Sequence, residues 1–93
     1  TPEFKKKSGT VASLRTDAVC SVAFGISRSE AARLIREGRL SVNHMEQLSP
    51  SAEVCEGDLL SIRGFGRARL FEVGGMSKKD RIFIEIHAYT DRK

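Results

Sequence analysis

The run GISRSEAARLIREGRLSVN, residues 25–43, constrains the fold more than any other, because it specifies both ends of one helix and the start of a strand. Ser27 and Glu30 have capping-box spacing, in which the serine oxygen accepts the backbone N–H three residues on and the glutamate returns to the serine N–H. Ile26 and Ala31 suit the accompanying hydrophobic staple, so the helix is expected to start at Arg28. Gly38 supplies the left-handed residue that ends it, and RLSVN then alternates as a strand. At about 100° per residue, Ala31, Leu34 and Ile35 form an apolar stripe with Ala32 at its edge. Ser29, Arg33 and Arg36 share another arc, Glu30 and Glu37 take the far flank, Arg28 borders the stripe and Arg39 leaves with the strand.

The flanking segments complete the architecture. LRTDAVCSVAFG has a helical pattern at Ala18, Val19, Val22 and Ala23, with Gly25 as its stop, so two helices meet in a tight helix-turn-helix hairpin. Strands are expected at residues 39–43, near 46–48, and at 59–63, 67–73 and 81–89, with GGMSKKD at 74–80 closing a C-terminal β-hairpin. The class is α+β: a helical hairpin packed on a small, twisted antiparallel sheet. Leu34 and Ile62 are assigned to the core. The opening TPEFKKKSGT carries little apolar content, so residues 1–10 are expected to be a flexible arm, linker or tag remnant and residues 11–93 a single domain.

Ninety-three residues make a small core, and 16 Lys plus Arg against 12 Asp plus Glu give a formal charge of +4. A pI of about 9.4 leans toward polyanionic partners. The charge is uneven: residues 44–59 hold Glu46, Glu53, Glu56 and Asp58 without a Lys or Arg, whereas residues 60–93 hold eight basic and four acidic side chains. Cys20 and Cys55 lack metal or disulfide spacing and are expected to be reduced and buried. No apolar run approaches the ~18 residues of a membrane span, and the expected setting is cytoplasmic. His44 and His87 lack further ligands at useful spacing, no nucleophile-base pair emerges, and GFGR lacks the rest of a phosphate-loop motif. Neither metal, cofactor, small-molecule substrate nor catalysis is expected.

LRTDAV, ISRSEAARLIREGRLSVN and EGDLLSIRG together resemble the S4 RNA-binding domain, over about residues 14–64. GFGRARLFEV, GGMSKKDR and the final alternating strand are similar, more narrowly, to the C-terminal domain of the bacterial YlmH-like proteins. The chain departs from the family pattern at Thr16, where leucine is usual and looser packing follows, and at His44, where glycine is usual and a loop meeting RNA is altered. The resemblance implies a helix-turn-helix RNA surface made by Arg15, Ser27, Arg28, Ser29, Arg33, Arg36, Arg39, Asn43 and His44. It also implies association with ribosomes and with quality control of stalled ones. The physical chemistry agrees, since a helix N-terminus, hydroxyls and guanidinium groups suit phosphate oxygens.

RGFGRAR adds a second basic patch, Arg63, Arg67 and Arg69, expected to extend the helix surface. Gly64 and Gly66 either admit phosphate close to the backbone or mark a bulge. No aromatic pair for stacking bases is expected, because the aromatic residues alternate into strands. The leading function is noncatalytic binding of structured RNA, ribosomal RNA or tRNA on a ribosomal particle, by a monomeric C-terminal module of a larger protein. The alternatives are the RNA-targeting module of a modifying enzyme, such as a pseudouridine synthase, and a protein-interaction domain using the acidic 44–59 region.

Overall fold

The computed structural model describes residues 4–77 and 79–89 of the chain. The helical hairpin forms where the sequence places it, with α1 at Thr16–Phe24 and α2 at Arg28–Arg36. Gly25 turns between them at φ 67°, a left-handed conformation that costs glycine little. Around the hairpin the chain makes strands β1 (Phe4–Val11), β2 (Leu40–Val42), β3 (Met45–Glu46), β4 (Leu59–Ile62), β5 (Gly66–Met76) and β6 (Ile82–Tyr89). They join in one antiparallel sheet of order β1-β6-β5-β4-β2-β3.

Both helices pack on one face of this sheet. The inward residues of successive strands, Leu40, Leu60, Ile62, Ala68, Leu70, Ile84 and Ile86, meet Val19, Ala23, Leu34 and Ile35 from the helices, all nearly inaccessible to water. Leu34 and Ile62 are buried as expected. Thr16 does not loosen this packing. It is fully buried, its hydroxyl donates to the Ala52 carbonyl, and its backbone N–H donates to the same oxygen. The Asp17 N–H donates to the Pro50 carbonyl, so the 49–54 loop satisfies the start of α1 in place of a capping side chain.

The largest departure from expectation is at the N-terminus, where Phe4–Val11 is not an arm but an edge strand paired with β6 along its whole length. Its inward positions escape the apolar alternation rule for a steric reason. Gly9 lies beneath α1, where a Cβ would come within 3.3 Å of Val22, and Lys7 sends its ammonium to the Ala23 carbonyl at the helix end. A lysine stem and a glycine thus occupy sites where period-two reading looks for large hydrophobes.

Cys20 is buried and its thiol pKa is pushed up to about 12 by that burial, but Cys55 is exposed in the turn before β4. Of the five phenylalanines, Phe24 is half-buried against the core and Phe4, Phe65, Phe71 and Phe83 are exposed. β5 is longer than expected, absorbing Gly74 and Gly75, and an irregularity between Leu70 and Glu72 breaks its register with β6 beside Phe71.

Candidate nucleic-acid interface

The basic side chains predicted from the sequence fall into three structural settings. In the first, Asp17 sits almost fully buried at the start of α1 and accepts two hydrogen bonds from Arg15, at 3.0 and 3.2 Å, and one from Arg28 at 3.2 Å. Burial alone would raise the Asp17 carboxyl pKa. The Arg15 hydrogen bond and the charges of Arg28 and Arg15 outweigh it and hold the group below the usual carboxylate value.

In the second, on the exposed side of α2, Arg33 is bound to Glu30 three residues before it and to Glu37 four residues after it. The acidic and basic sectors of this helix are therefore stitched together rather than separated. The same contacts alter the cap. The Ser27 hydroxyl accepts the Glu30 N–H at 3.1 Å as expected, but the Glu30 carboxylate turns to Arg33 instead of returning to Ser27, so only half of the capping box is made. The Arg33 hydrogen bond lowers the Glu30 pKa, and Glu30 and Glu37 raise that of Arg33. Arg28, Ser29 and Arg36 are exposed nearby.

In the third, Arg39, Arg63 and Arg67 converge on an open cleft of about 390 Å³ at the end of β2, β4 and β5, with Ser41, Ser61, Gly38, Gly64 and Gly66 among its walls. Arg39 Nη2 donates to the Arg63 carbonyl at 2.9 Å, which fixes one guanidinium across the cleft mouth. Gly64 adopts φ 91°, and a Cβ there would come within 3.0 Å of that same Arg39 nitrogen. Gly66 adopts φ 107°. The glycines therefore serve a tight turn and a close approach together. Among the described residues, neither Arg63 nor Arg67 has an acidic or carbonyl partner for its side chain, whereas Arg69 donates to the Gly57 carbonyl at 2.7 Å.

The sequence placed Arg39 with the helix and Arg63 and Arg67 on a separate patch; the fold brings them to one cavity because β2 pairs with β4, and β4 with β5. Ser41 and Ser61 were missed. They occupy facing positions in register with Arg67, and the signal was available as the single hydroxyl residue interrupting each apolar strand, LSV and LLSI.

Asn43 and His44 form the two-residue turn between β2 and β3, with φ 53° and 72°. Positive φ at both positions is the hairpin geometry that normally favours glycine second. Asn43 is committed internally: its amide donates to Asp58 at 3.0 Å and its oxygen accepts the Leu59 N–H at 2.9 Å. His44 projects at the exposed tip. Asp58 also accepts the Cys55 N–H, so this member of the acidic 44–59 segment builds a turn. No group of three or more potential metal ligands occurs among the described residues. None of their helices is long and apolar enough to cross a membrane.

The S4 domain family model matches residues 15–60, which hold the helical hairpin, β2, β3 and the start of β4, with Arg39 of the cleft inside the match and Arg63 and Arg67 beyond it. The chain belongs to the S4 domain family. Over 75 residues, 81% of its length, it is 45% identical to the ribosome-associated protein quality control protein P2 of Bacillus subtilis (strain 168). The match spans 29% of that protein's length.

Proposed function

We propose that the chain is a noncatalytic RNA-binding module, acting within a larger ribosome-associated protein, that holds structured ribosomal RNA or tRNA by its phosphates. The observation that carries this reading is the cleft of Arg39, Arg63 and Arg67. Three guanidinium groups and two hydroxyls face a concavity, and the carboxylates nearest them, Glu46 beside Gly38 and Glu37 at 4.0 Å from Arg39, leave Arg63 and Arg67 unpaired among the described residues. Fixed guanidinium groups bind phosphate oxygens through charge-assisted hydrogen bonds and do so without reading bases. The S4 family membership and the ribosome-associated relative support RNA as the polyanion. Arg36 and the N-terminal turn of α2, with Ser27, Arg28 and Ser29, lie on the hairpin and extend the surface. Arg15, Arg33, Asn43 and Arg69 position other groups first and contact RNA second. His44, at the exposed tip of the β2–β3 turn, meets the RNA at the edge of this surface.

The test is a fluorescence anisotropy titration of a blunt RNA hairpin at several salt concentrations. Log affinity should fall linearly with log salt, by about 0.7–0.9 per phosphate neutralised. Salt-independent binding, or none, would reject phosphate-led recognition.

A further inference from the structure

The sheet face turned away from the helices carries an aromatic stack that the cleft does not use. His87 on β6 lies between Phe4 on β1 and Phe71 on β5, with ring centroids 4.2 and 4.0 Å apart and the rings within 12° and 14° of parallel. His87 is only 8% exposed, and its Nε2 lies 2.8 Å from a Glu85 carboxylate oxygen. The two outer rings remain open, Phe4 44% and Phe71 47% exposed, and Tyr89 meets Phe4 edge-on. An antiparallel sheet solvated on one side ordinarily places polar residues there, so exposed rings held upright in a stack require an explanation.

Strand register connects the stack with the cleft. Ser41 pairs with Ser61, Ser61 with Arg67, Arg67 with Tyr89, and Tyr89 with Phe4, so these residues form one row across the outer face. With strands about 4.8 Å apart, Tyr89 lies one strand and Phe4 two strands from Arg67. Arg69, a register partner of His87 held by the Gly57 carbonyl, places further positive charge beside the rings, whereas Lys6, the other partner, is paired with Glu85 at 3.8 Å. Glu85, against His87, and its register partner Glu72 lie on the side of the stack away from Arg67, so a polyanion is favoured on the Arg67 side.

We propose that this face is a stacking platform for unpaired nucleotides of the RNA whose phosphates occupy the cleft; the proposal rests on the RNA-binding reading above. Every base has a π-face that stacks on an aromatic ring, so the platform accepts unpaired RNA with little regard to sequence. Rings alone would equally suit an apolar protein surface. Arg67, which lines the cleft and pairs with Tyr89 in register, joins the phosphate site directly to the rings, and that continuity favours a nucleic acid strand. It also gives the domain a means of selecting duplex ends, bulges or loops over continuous duplex, which phosphate contacts cannot do.

The experiment compares a blunt RNA hairpin with the same hairpin carrying an unpaired oligoadenylate extension, using the chain and its Phe4→Leu/Phe71→Leu variant. Leucine keeps apolar contact with His87 while removing the π-face. The extension should tighten binding by the unaltered chain about tenfold, and the variant should lose that gain while holding the blunt hairpin as before. Tyr89, the one tyrosine in a chain without tryptophan, should lose fluorescence on binding the extended RNA alone. Should the variant fail to fold, upfield shifts of the Phe4 and Phe71 ring protons on adding the extended RNA to the unaltered chain decide the matter. Equal affinity for both RNAs, or an unmoved ring spectrum, overturns the platform and leaves the cleft standing. Failure to bind either RNA overturns both readings. Self-association that the variant abolishes, with no effect of the extension, assigns the face to a second protein copy and overturns the proposal.

Discussion

The helical hairpin and the cleft at the sheet end are both rich in arginine, yet they use it in opposite ways. On the hairpin, Arg15 and Arg28 converge on Asp17 and Arg33 is held between Glu30 and Glu37, which leaves Arg36 as the hairpin arginine without an acidic partner among the described residues. In the cleft, Arg39 is fixed mainly by a backbone carbonyl, with Glu37 no closer than 4.0 Å, and Arg63 and Arg67 face the cavity. A carboxylate neutralises the charge that a phosphate would otherwise meet, whereas a carbonyl orients a guanidinium and leaves its charge intact. The number of arginines in a motif is therefore a poor guide to where a polyanion binds. The count of arginines without acidic partners is a better one.

The two regions share a core, and the largest effect comes from breaking it. Leu34→Asp, under the hairpin, or Ile62→Asp, under the cleft, places an unpaired charge where exposure is 1%. The cost is several kcal/mol, comparable with the whole ~5–15 kcal/mol stability of a domain, so both variants should lack a cooperative melt. A native-like melt from either would place that residue outside the core.

A smaller effect separates the regions by pH. Because the Asp17 pKa is depressed in the folded chain, its stabilisation is present above the unfolded value of about 3.9 and is lost as pH falls through the folded value. Asp17→Asn should therefore lower the melting temperature at neutral pH, and its deficit against the unaltered chain should shrink as the solution is acidified below about pH 4. A deficit that stays constant across that range would mean that Asp17 acts by shape rather than charge.

The smallest effect is expected on the exposed side of α2. Exposed ion pairs contribute about 0–1 kcal/mol, so Arg33→Gln should shift thermal stability little. It should also weaken RNA binding by less than Arg67→Gln, measured on the same hairpin at one salt concentration. A greater loss from Arg33→Gln would return the main site to the helix.

Much of the architecture was legible because the signals were local. Ser27, Gly25 and Gly38 bound the two helices, and the apolar stripe of Ala31, Leu34 and Ile35 is the face that α2 buries. What was not legible depends on neighbours distant in the chain. β1 was hidden because its inward Lys7 and Gly9 answer to α1, some fifteen residues on, rather than to an apolar period. The exposed Cys55 follows from the turn made by Asp58, and the intrahelical bridging of Arg33 follows from carboxylate rotamers that spacing alone does not choose. The stack of Phe4, His87 and Phe71 joins three strands and has no one-dimensional signature. The cleft lay between: its arginines were recognised, but their union with Ser41 and Ser61 required the strand pairing.

The central claim is that partners, not number, decide which arginines bind phosphate, and a salt titration of two paired substitutions tests it most directly. Arg63→Gln with Arg67→Gln removes two cleft cations, and Arg28→Gln with Arg33→Gln removes two that are already ion-paired. Measured on one blunt RNA hairpin, the cleft pair should lower the slope of log affinity against log salt by about 0.7–0.9 for each phosphate no longer neutralised. The helix pair should change it by less than half as much. An equal or larger change from the helix pair would contradict the account.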